Sequence, residues 1–348
     1  MKKWFVACFA KGAGRLSLLY VNENGCVIGI EGNQCAVKYP DGMRKIIPIE
    51  TLEGITILGN SQMTVQCTQE CLMRGIPVSY FSKGGRYFGR LQSTGHINPE
   101  RQRKQSALYE TDFALELSKR IISSKLKNQY VVLRRYERSS NQSVQEFWNA
   151  MHRCREKISS CETIQELMGY EGQAAKAYFS GLSKVINPEF AFSGRNKRPP
   201  TDEFNSMLSL GYSIVMNEVY SKIEEKGLNP YFGFLHRDRE RHPTLASDMM
   251  EEWRAVLVDA TVMSMINGHE ISKDDFIFPM DEPGCYLTKN GIKLYLSKLE
   301  KKLQTKVRYL DRIDYAVSFR HAIALQMDCL VNAIQNENAS LYTPIEIR

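Results

Sequence analysis

The pattern of apolar residues changes character once along the chain, between about residues 92 and 104. Before this point, short apolar or β-branched runs such as RLSLLYV, CVIGIEG and GITILG are separated by Gly, Asn, Asp and Pro, which is typical of strands joined by turns. From Leu108 onward helical periodicity dominates. We therefore expect an α+β protein, with a β-sandwich-like domain over residues 1–95 and an all-α domain over residues 105–348.

Helices are predicted in both parts. In the first part, Cys67 and Cys71 have helical spacing in SQMTVQCTQECLMRG; they could be a metal pair, but free cysteine is more often a small core residue, which we favour. In the second part, helices are predicted over 105–138, 144–157, 161–168, 171–183, 204–226, 244–267, 289–303 and 312–336. Residues 189–205 are basic, carry a Pro pair and are predicted as a mobile loop. The last residues, NENASLYTPIEIR, are predicted as a tail.

Composition limits the partners and the compartment. The 348 residues include 46 Lys+Arg and 39 Asp+Glu, a formal net charge of +7, which permits an anionic partner without requiring one. No run reaches the roughly 18 apolar residues of a membrane span, so we expect no membrane partner. Nine cysteines without a CxxC pair argue against a zinc ribbon. Their odd number and the lack of a signal peptide favour reduced thiols and a cytoplasmic location.

A line of basic residues follows the predicted helix 105–138. Arg120, Lys127, Arg134 and Arg138 recur at intervals of seven, seven and four residues. Such residues often decorate a solvated helix face, but charge of a single sign along one line is more typical of contacts to a nucleic-acid backbone. The spacing alone leaves these two interpretations about equal.

Four residues together suit a divalent cation: Glu171, His236, Asp248 and Glu251. Asp248 and Glu251 are three apart in TLASDMMEEWR, and His236 comes twelve residues before Asp248, so a helix there would direct both acids to one face next to the imidazole. Carboxylates with an imidazole suit Mg²⁺ or Mn²⁺. Each residue also has an ordinary explanation. Glu171 could be a first-turn helix charge and His236 a buried core side chain. The two acids could form a solvated face that pairs with Arg254.

Three arginines follow the histidine, namely Arg237, Arg239 and Arg241 in HRDRERH. A cationic turn beside a metal-binding imidazole suits a substrate that carries phosphates. Other catalytic schemes lack their motifs, because the chain has neither a GxSxG elbow nor a GxxxxGK[ST] phosphate loop. The nearest Cys–His neighbours, His152 and Cys154, are two apart and would not face each other on a helix.

The order of these motifs resembles the CRISPR-associated integrase family, the "Cas-one" adaptation nucleases, almost from end to end. The segment IPIETLEGITILGNSQMTVQCTQECLMRGIPVSYFSKGGRYFGRL resembles the β-domain of that family. In the second part the similar segments are KLKNQYVVLRR, YEGQAAKAYF, DEFNSMLSLGYSIVMNEVYSKIEEKGLNPYFGFLH, TLASDMMEEWRAVLVD and YLTKNGIKLYLSKLEKKL.

The resemblance implies a β-rich dimerisation domain (1–95) and an α-helical, metal-dependent catalytic domain (105–348). Glu171, His236 and Glu251 would be the ligands of Mg²⁺ or Mn²⁺, with Asp248 as an auxiliary acid. Where some members have Asp, this chain has Glu251. The implied activity is that of a metal-dependent DNA endonuclease and integrase, which inserts short captured DNA into the CRISPR repeat array by transesterification and so gives immunity against foreign DNA.

The resemblance also implies partners. They are double-stranded DNA (the captured fragment and the CRISPR repeat), a second copy of the chain, and the family's small ferredoxin-like adaptation subunit in a heterohexamer. The candidates to hold DNA are Arg120, Lys127, Arg134, Arg138, Arg237, Arg239 and Arg241. Two other functions stay open: a structure-specific nuclease of DNA repair, and a non-catalytic DNA-binding scaffold whose acids are merely solvated.

Overall fold

The chain divides into two compact units in the computed structural model. The described residues are 6–8, 17–196, 199–280, 283–308 and 315–347. The first unit comprises Met1–His96 and Leu287–Glu300, and the second comprises Ile97–Tyr286 and Lys301–Arg348. The fold is α+β, with its two larger sheets in the first unit and its long helices mostly in the second. None of the described helices is long and apolar enough to cross a membrane.

The strands of the first unit form two sheets. They are β1 (Val6–Cys8), β2 (Ser17–Val21), β3 (Val27–Glu31), β4 (Gln34–Lys38), β5 (Arg44–Pro48), β6 (Leu52–Leu58), β7 (Gln62–Met63), β8 (Val78–Phe81) and β9 (Tyr87–Leu91). One sheet has the strand order β1-β2-β6-β8-β9, and the other has the order β5-β4-β3-β7. In the first sheet β2, β6 and β8 are parallel, whereas β3, β4 and β5 form an antiparallel meander in the second.

One apolar core joins both sheets to helix α1 (Val65–Met73). Val21 of β2, Ile28 of β3 and Cys67 of α1 all belong to it and are fully buried. The helix begins where the Thr64 hydroxyl accepts a hydrogen bond from the Cys67 amide at 3.2 Å, which is the usual role of threonine at this position. Cys71 is buried as well, so the prediction that the two α1 cysteines are small core residues is confirmed.

Long helices dominate the second unit. The helices after α1 are α2 (Pro99–Ala107), α3 (Asp112–Arg138), α4 (Gln145–Ile158), α5 (Ile164–Val185), α6 (Glu203–Glu225), α7 (Thr244–Trp253), α8 (Ala260–Asn267), α9 (Lys289–Gln304) and α10 (Phe319–Gln335). Between α7 and α8 the chain forms a π-helix over Arg254–Asp259, a geometry that often occurs at functional sites.

Two short strand pairs also lie after residue 275, so the expectation of an all-α domain over residues 105–348 is wrong in this detail. β10 (Phe276–Ile277) and β11 (Tyr286–Leu287) form one two-stranded sheet, and β12 (Lys306–Val307) and β13 (Val317–Ser318) form another. Strands of two residues carry too short a pattern for alternation to be visible in the sequence.

Several helices begin or end at other residues than predicted. The predicted helix 105–138 is two helices, α2 and α3, because Glu110 between them has a φ of +58°, a left-handed conformation that a continuous right-handed helix does not contain. Conversely, the predicted helices 161–168 and 171–183 are one helix, α5. Gly169 does not end it, since one glycine costs a helix only about 1 kcal/mol relative to alanine.

The predicted mobile loop 189–205 is anchored in its described part. The ring of Phe192 stacks on that of Phe204 in α6, with the centroids 4.0 Å apart, and Phe190 is buried. Residues 197 and 198 lie outside the described part of the chain. Basic residues and a Pro pair form a local pattern, and such a pattern does not show that aromatic side chains return to the core.

Helix α9 belongs to the first unit as far as Glu300, although it comes late in the chain. Its side chains Tyr295 and Leu299 are fully buried, and the Tyr20 hydroxyl of β2 donates a hydrogen bond to the Glu300 carboxylate at 3.5 Å. We predicted this helix as part of the domain 105–348, because helical periodicity does not reveal which unit a helix packs against. The first residues of the predicted last helix, 312–314, are not among those described.

The last residues, predicted as a tail, form a buried strap. We call Tyr342–Ile347 the C-terminal strap. The Ile345 amide donates to Glu252 Oε2 of α7 at 2.7 Å, and the Ile345 carbonyl accepts from Asn128 Nδ2 of α3 at 2.8 Å. The Tyr342 hydroxyl donates to Glu252 Oε1 at 2.6 Å. The strap therefore ties α3 to α7, and the prediction of a tail is wrong.

The buried Glu252 makes stability depend on pH. Burial raises its pKa from 4.5 to about 8, although hydrogen bonds from Tyr342 and Ile345 oppose this. The folded protein thus holds this proton more tightly than the unfolded chain, so the contribution to stability is fully present below pH 4.5 and is lost as the pH rises to about 8. The loss is at most about 1.4 kcal/mol per pH unit.

We expect Glu252→Gln to unfold at a temperature that changes less with pH than that of the wild type between about pH 5 and pH 8. A glutamine cannot ionise, so this contribution to the slope disappears. Thermal unfolding followed by circular dichroism measures both slopes. Equal slopes for the two proteins would contradict the raised pKa.

Candidate active site

Three elements of the second unit bring the predicted site residues together. Helix α5 carries Glu171, the segment between α6 and α7 carries His236, and α7 carries Asp248 and Glu251. A cavity of about 230 Å³ lies among them. Its polar and charged lining residues include Lys125, Glu171, Arg195, Tyr212, His236, Glu251 and Arg254. The structure therefore places three of the four predicted residues on one cavity, and Asp248 behind it.

Asp248 is fully buried and organises the turn that carries the histidine. Its Oδ2 accepts the backbone N–H groups of Phe234 at 2.7 Å and Leu235 at 3.0 Å. Its Oδ1 accepts the backbone N–H of His236 at 3.1 Å and lies 2.6 Å from His236 Nδ1. Both oxygens are thus used in holding the turn, which suits a positioning role for this acid.

Gly233 allows the turn to pack this closely. A Cβ at this position would lie 2.8 Å from Asp248 Oδ2 and 2.8 Å from the Thr244 Cβ. The Thr244 hydroxyl accepts the Gly233 N–H at 3.0 Å and donates to the Tyr231 carbonyl at 2.6 Å. The first turn of α7 therefore holds the segment through its side chains, and only a residue without a side chain fits at Gly233.

The second ring nitrogen of His236, Nε2, faces Glu251, which lies one turn after Asp248 on α7. The Nδ1 contact with Asp248 orients the ring, and Nε2 lies 3.9 Å from Glu251 Oε1. Burial lowers the pKa of His236, but the hydrogen bond and charge of Asp248, with the charge of Glu251, outweigh this and raise it. A histidine held through one nitrogen by a carboxylate is the usual arrangement of a metal ligand, and a cation would compete with the proton on the other nitrogen.

Lys125, which the sequence reasoning did not single out, lies between two predicted ligands. Its ammonium forms ion pairs with Glu251 Oε2 at 2.6 Å and with Glu171 Oε1, and its side chain is only 8% exposed. Ile122 and Gln129, one turn away on α3, line the same cavity. A lysine inside the apolar stripe of a helix is the signal that could have found it, because a buried ammonium needs carboxylate partners.

Glu251 is ionised at neutral pH. Burial raises its pKa, but the positive charges of Arg254, Lys125 and His236 outweigh burial and lower it to about 2. Arg254 Nε lies 3.1 Å from Glu251 Oε1, and its guanidinium sits over the Tyr212 ring at 4.8 Å. The expected pairing with Arg254 is present, but the face is not solvated, since Glu251 is 4% exposed.

A second buried acid supports this wall of the cavity. Asp259, at the end of the π-helix, accepts hydrogen bonds from the hydroxyls of Tyr212 at 2.5 Å and Tyr178 at 3.0 Å. The Arg195 guanidinium lies 5.4 Å from the centre of the Tyr212 ring. Burial raises the pKa of Asp259 to about 6, against the hydrogen bonds of the two tyrosines and the charge of Arg254. No spacing in the sequence connects these groups, which come from four elements.

The donors fit a divalent cation, but the Lys125 ammonium stands among them. Glu251 Oε2 is buried and makes no hydrogen bond of good geometry, although Lys125 Nζ is 2.6 Å away, so a lone pair remains for a cation. Carboxylate oxygens with one imidazole nitrogen suit Mg²⁺ or Mn²⁺. With the ammonium in place, no three acidic, histidine or cysteine side chains among the described residues converge closely enough to hold a metal ion.

Sequence comparison decides the family. Residues 19–301 match the family model described as CRISPR associated protein Cas1. The chain belongs to the Cas1 family. A relative from Mycobacterium tuberculosis (strain CDC 1551), named CRISPR-associated endonuclease Cas1, is 35% identical over 332 residues, which cover 94% of this chain and 97% of the relative.

Two solved structures have the same fold as this member of the Cas1 family. A casposase bound to integration product has a TM-score of 0.84 and 22% identity, over 95% of this chain and 94% of the casposase chain. A chain of a Cas6-RT-Cas1–Cas2 complex has a TM-score of 0.83 and 24% identity. That match covers 100% of this chain but only 38% of the longer chain in the complex. At these identities the similarity shows the fold alone.

The three arginines after the histidine remain on the surface of this Cas1-family chain. Arg237, Arg239 and Arg241 are exposed, and Arg241 has a φ of +60°. Arg237 lines a second cleft, of about 840 Å³, which His236 also lines together with Thr163 at the start of α5. The two cavities therefore meet at the histidine, and Arg237 stands at the larger one.

The basic line along α3 is less uniform than its spacing suggests. Arg138 is exposed, whereas Arg120 and Lys127 are partly buried. The Arg134 guanidinium lies over the Trp148 ring of α4 at 5.1 Å and pairs with Glu137 at 3.4 Å. Contacts within the protein therefore account for the position of Arg134, with no need for a DNA contact. That the four basic residues of α3 and the three arginines after His236 bind DNA stays a prediction.

Proposed function

We propose that this protein is a CRISPR adaptation integrase, a divalent-metal-dependent DNA endonuclease that joins short captured DNA to the CRISPR repeat. The observation that carries the proposal is the meeting of Glu171, His236 and Glu251 at one cavity in a Cas1-family chain. The relatives named as endonucleases and the casposase bound to integration product support it. The burial of Glu251 and Asp248 disfavours a scaffold whose acids are merely solvated.

The metal would be held by Glu171, His236 and Glu251. When bound, Mg²⁺ or Mn²⁺ would neutralise phosphate charge and lower the pKa of the attacking hydroxyl. Asp248 keeps the histidine oriented, because it occupies Nδ1 and leaves Nε2 facing Glu251. Lys125, Tyr212 and Glu251 in the cavity wall are buried, which strengthens the electrostatic interactions there.

Arg195 and Arg254 are candidates to hold the scissile phosphodiester. Both line the cavity, and the Tyr212 ring lies near both guanidinium groups. Planar guanidinium groups bind two phosphate oxygens at once. Asp259 fixes the Tyr212 hydroxyl, so it supports the two arginines without touching the substrate.

The reaction we propose is a transesterification. The 3′-hydroxyl of the captured DNA attacks a phosphodiester of the repeat, so a new bond forms between its oxygen and phosphorus. The bond between phosphorus and the 3′-oxygen of the repeat strand breaks, and that oxygen leaves as a new 3′-hydroxyl. With water in place of the attacking hydroxyl, the same chemistry is endonucleolytic cleavage.

We also propose the partners that the family suggests. The two sheets of the first unit share one core, which supports a sandwich-like dimerisation domain, and exposed apolar side chains such as Met43 and Phe88 on that unit suit contact with a second copy. The solved complex of a similar chain with Cas2 supports the small adaptation subunit as a partner. Double-stranded DNA and a heterohexamer complete the proposed assembly.

A strand-joining experiment tests the proposal. The protein and the small subunit are mixed with a short duplex that has 3′-hydroxyl ends and a supercoiled plasmid that carries the repeat. We expect joined products only with Mg²⁺ or Mn²⁺, and none with 3′-deoxy ends. Cleavage of branched DNA without joining would favour a repair nuclease instead. DNA binding without any metal-dependent chemistry would favour the scaffold.

We expect the double variant Arg237→Glu, Arg239→Glu to bind duplex DNA of any sequence about tenfold or more weakly at low salt, because charge reversal repels phosphates. The slope of log affinity against log salt should decrease by about one for each phosphate that the variant no longer binds. Fluorescence anisotropy over a salt series measures both quantities.

The matched control for this test is Arg153→Glu, Lys157→Glu on α4. These residues are also exposed and basic, and the double substitution changes the net charge by the same amount. Equal losses of affinity in the two variants would mean that only net charge matters, and would remove the turn after His236 from the DNA surface.

A further inference from the structure

The Lys125 ammonium occupies the place between the two predicted carboxylate ligands. Glu171 comes from α5, Glu251 from α7 and Lys125 from α3, and the ion pairs of the lysine join all three helices. Arg254 also contacts Glu251, but through the other oxygen, Oε1. Within the described residues, Lys125 is the cation that pairs with both acids.

We propose that Lys125 is an internal counter-ion, which holds the two acids together in the metal-free protein and is displaced when a divalent cation binds. This inference rests on the metal site of the proposed function. The lysine and the metal then compete for Glu171 and Glu251, and the lysine sets the metal concentration that the enzyme needs.

Competition follows from distance and charge. Mg²⁺ binds a carboxylate oxygen at about 2.0–2.1 Å, whereas Lys125 Nζ already lies 2.6 Å from Glu251 Oε2. A dication on the same oxygen would stand next to an ammonium at low exposure, where like charges repel strongly. The four-carbon stem of a lysine can turn away, while Arg254 can stay on Oε1 and keep Glu251 in position.

The counter-ion also has a structural consequence. Without Lys125, the two carboxylates, with side chains only 16% and 4% exposed, would face each other with less positive charge between them. A charge of low exposure without its partner is costly. The metal-free protein should therefore be less stable without the lysine, and added metal should restore more stability than it does in the wild type. Binding of metal to the folded state alone stabilises it by mass action.

The test measures Mn²⁺ binding to the metal-free protein by isothermal titration calorimetry. We expect Lys125→Met to bind Mn²⁺ about tenfold or more tightly than the wild type, in the usual range for two coupled sites. The midpoint of thermal unfolding should fall without metal and rise more on addition of Mn²⁺. Lys119→Met is the matched control, since this lysine is on the same helix and pairs with Glu116, three residues earlier, at 2.7 Å.

Two further variants keep the inference falsifiable. Lys125→Arg retains the positive charge and should not bind Mn²⁺ more tightly than the wild type. Lys125→Gln removes the charge but keeps a hydrogen-bond donor, and it replaces the methionine variant if that protein does not fold. If the neutral variants bind Mn²⁺ no more tightly than the wild type, or if the arginine variant binds it more tightly, the proposed competition between Lys125 and the metal is wrong.

The outcomes separate this inference from the proposed function. If the wild type and the neutral variants bind Mn²⁺ equally, only the counter-ion role fails. If none of them binds Mn²⁺, the metal site itself fails and the proposed function fails with it.

Discussion

Glu251→Gln should reduce the rate of strand joining by about a hundredfold to a thousandfold, the usual effect of removing one preorganised electrostatic group, while duplex DNA binding stays largely intact. Glutamine has nearly the same shape but no charge. It would leave Lys125 and Arg254 facing a neutral amide, and it would be a poor ligand for a divalent cation. Time courses of strand joining, with separate DNA-binding isotherms, measure the two effects.

The Glu251 variant needs a folding control and an acidic control. Because removing one partner of a buried ion pair costs about 3–5 kcal/mol, thermal unfolding must show that the protein is folded at the assay temperature. Glu116→Gln removes an exposed acid on α3 and should leave joining unchanged. Joining at the wild-type rate by Glu251→Gln would exclude this residue as a metal ligand.

Removing the C-terminal strap should lower the free energy of unfolding by about 2–6 kcal/mol and reduce strand joining. The truncation leaves buried groups of Asn128 and Glu252 without partners, and each such group costs about 1–3 kcal/mol. Strand joining should also slow, because the strap ties α3 to α7 through residues close to the site. Asn128 is three residues from Lys125 on α3, and Glu252 is next to Glu251 on α7. Urea unfolding and joining kinetics of a chain ending at Leu341 measure both effects.

Smaller changes separate the strap from a general effect of shortening the chain. Deleting only Arg348 shortens the chain but keeps the whole strap, so it should change neither quantity. Tyr342→Phe removes one hydroxyl that donates to Glu252 and accepts from Gln326, so it should cost about 1–2 kcal/mol and lower joining only slightly. A strapless protein with wild-type stability would mean that the strap contacts do not hold the two helices.

The motif residues of the site were predictable because their spacing within segments is local. Asp248 and Glu251 are one helical turn apart, and the structure places them on α7 as that spacing predicts. The order of the segments then identified the family, which the family model confirms. What spacing did not show is the division of roles, with Asp248 behind the cavity and Glu251 in its wall.

The interruptions of the helices were less predictable, because they depend on weak local preferences that packing overrides. Gly169 lies inside α5, although glycine is a poor helix former. Glu110 ends a helical stretch that has no proline or glycine to mark the break. The Arg254–Asp259 π-helix likewise has no signature in RAVLVD.

By itself, the sequence determined the change from strands to helices, the family, and the three residues that we propose as metal ligands. Tertiary structure alone decided that Lys125 lies between Glu171 and Glu251, that the Arg254 guanidinium lies over the Tyr212 ring, and that the last residues bind α3 and α7. The physical reason is that periodicity and spacing describe neighbours along one element. A buried charge, in contrast, is stabilised by partners from other elements, which only the folded chain brings together.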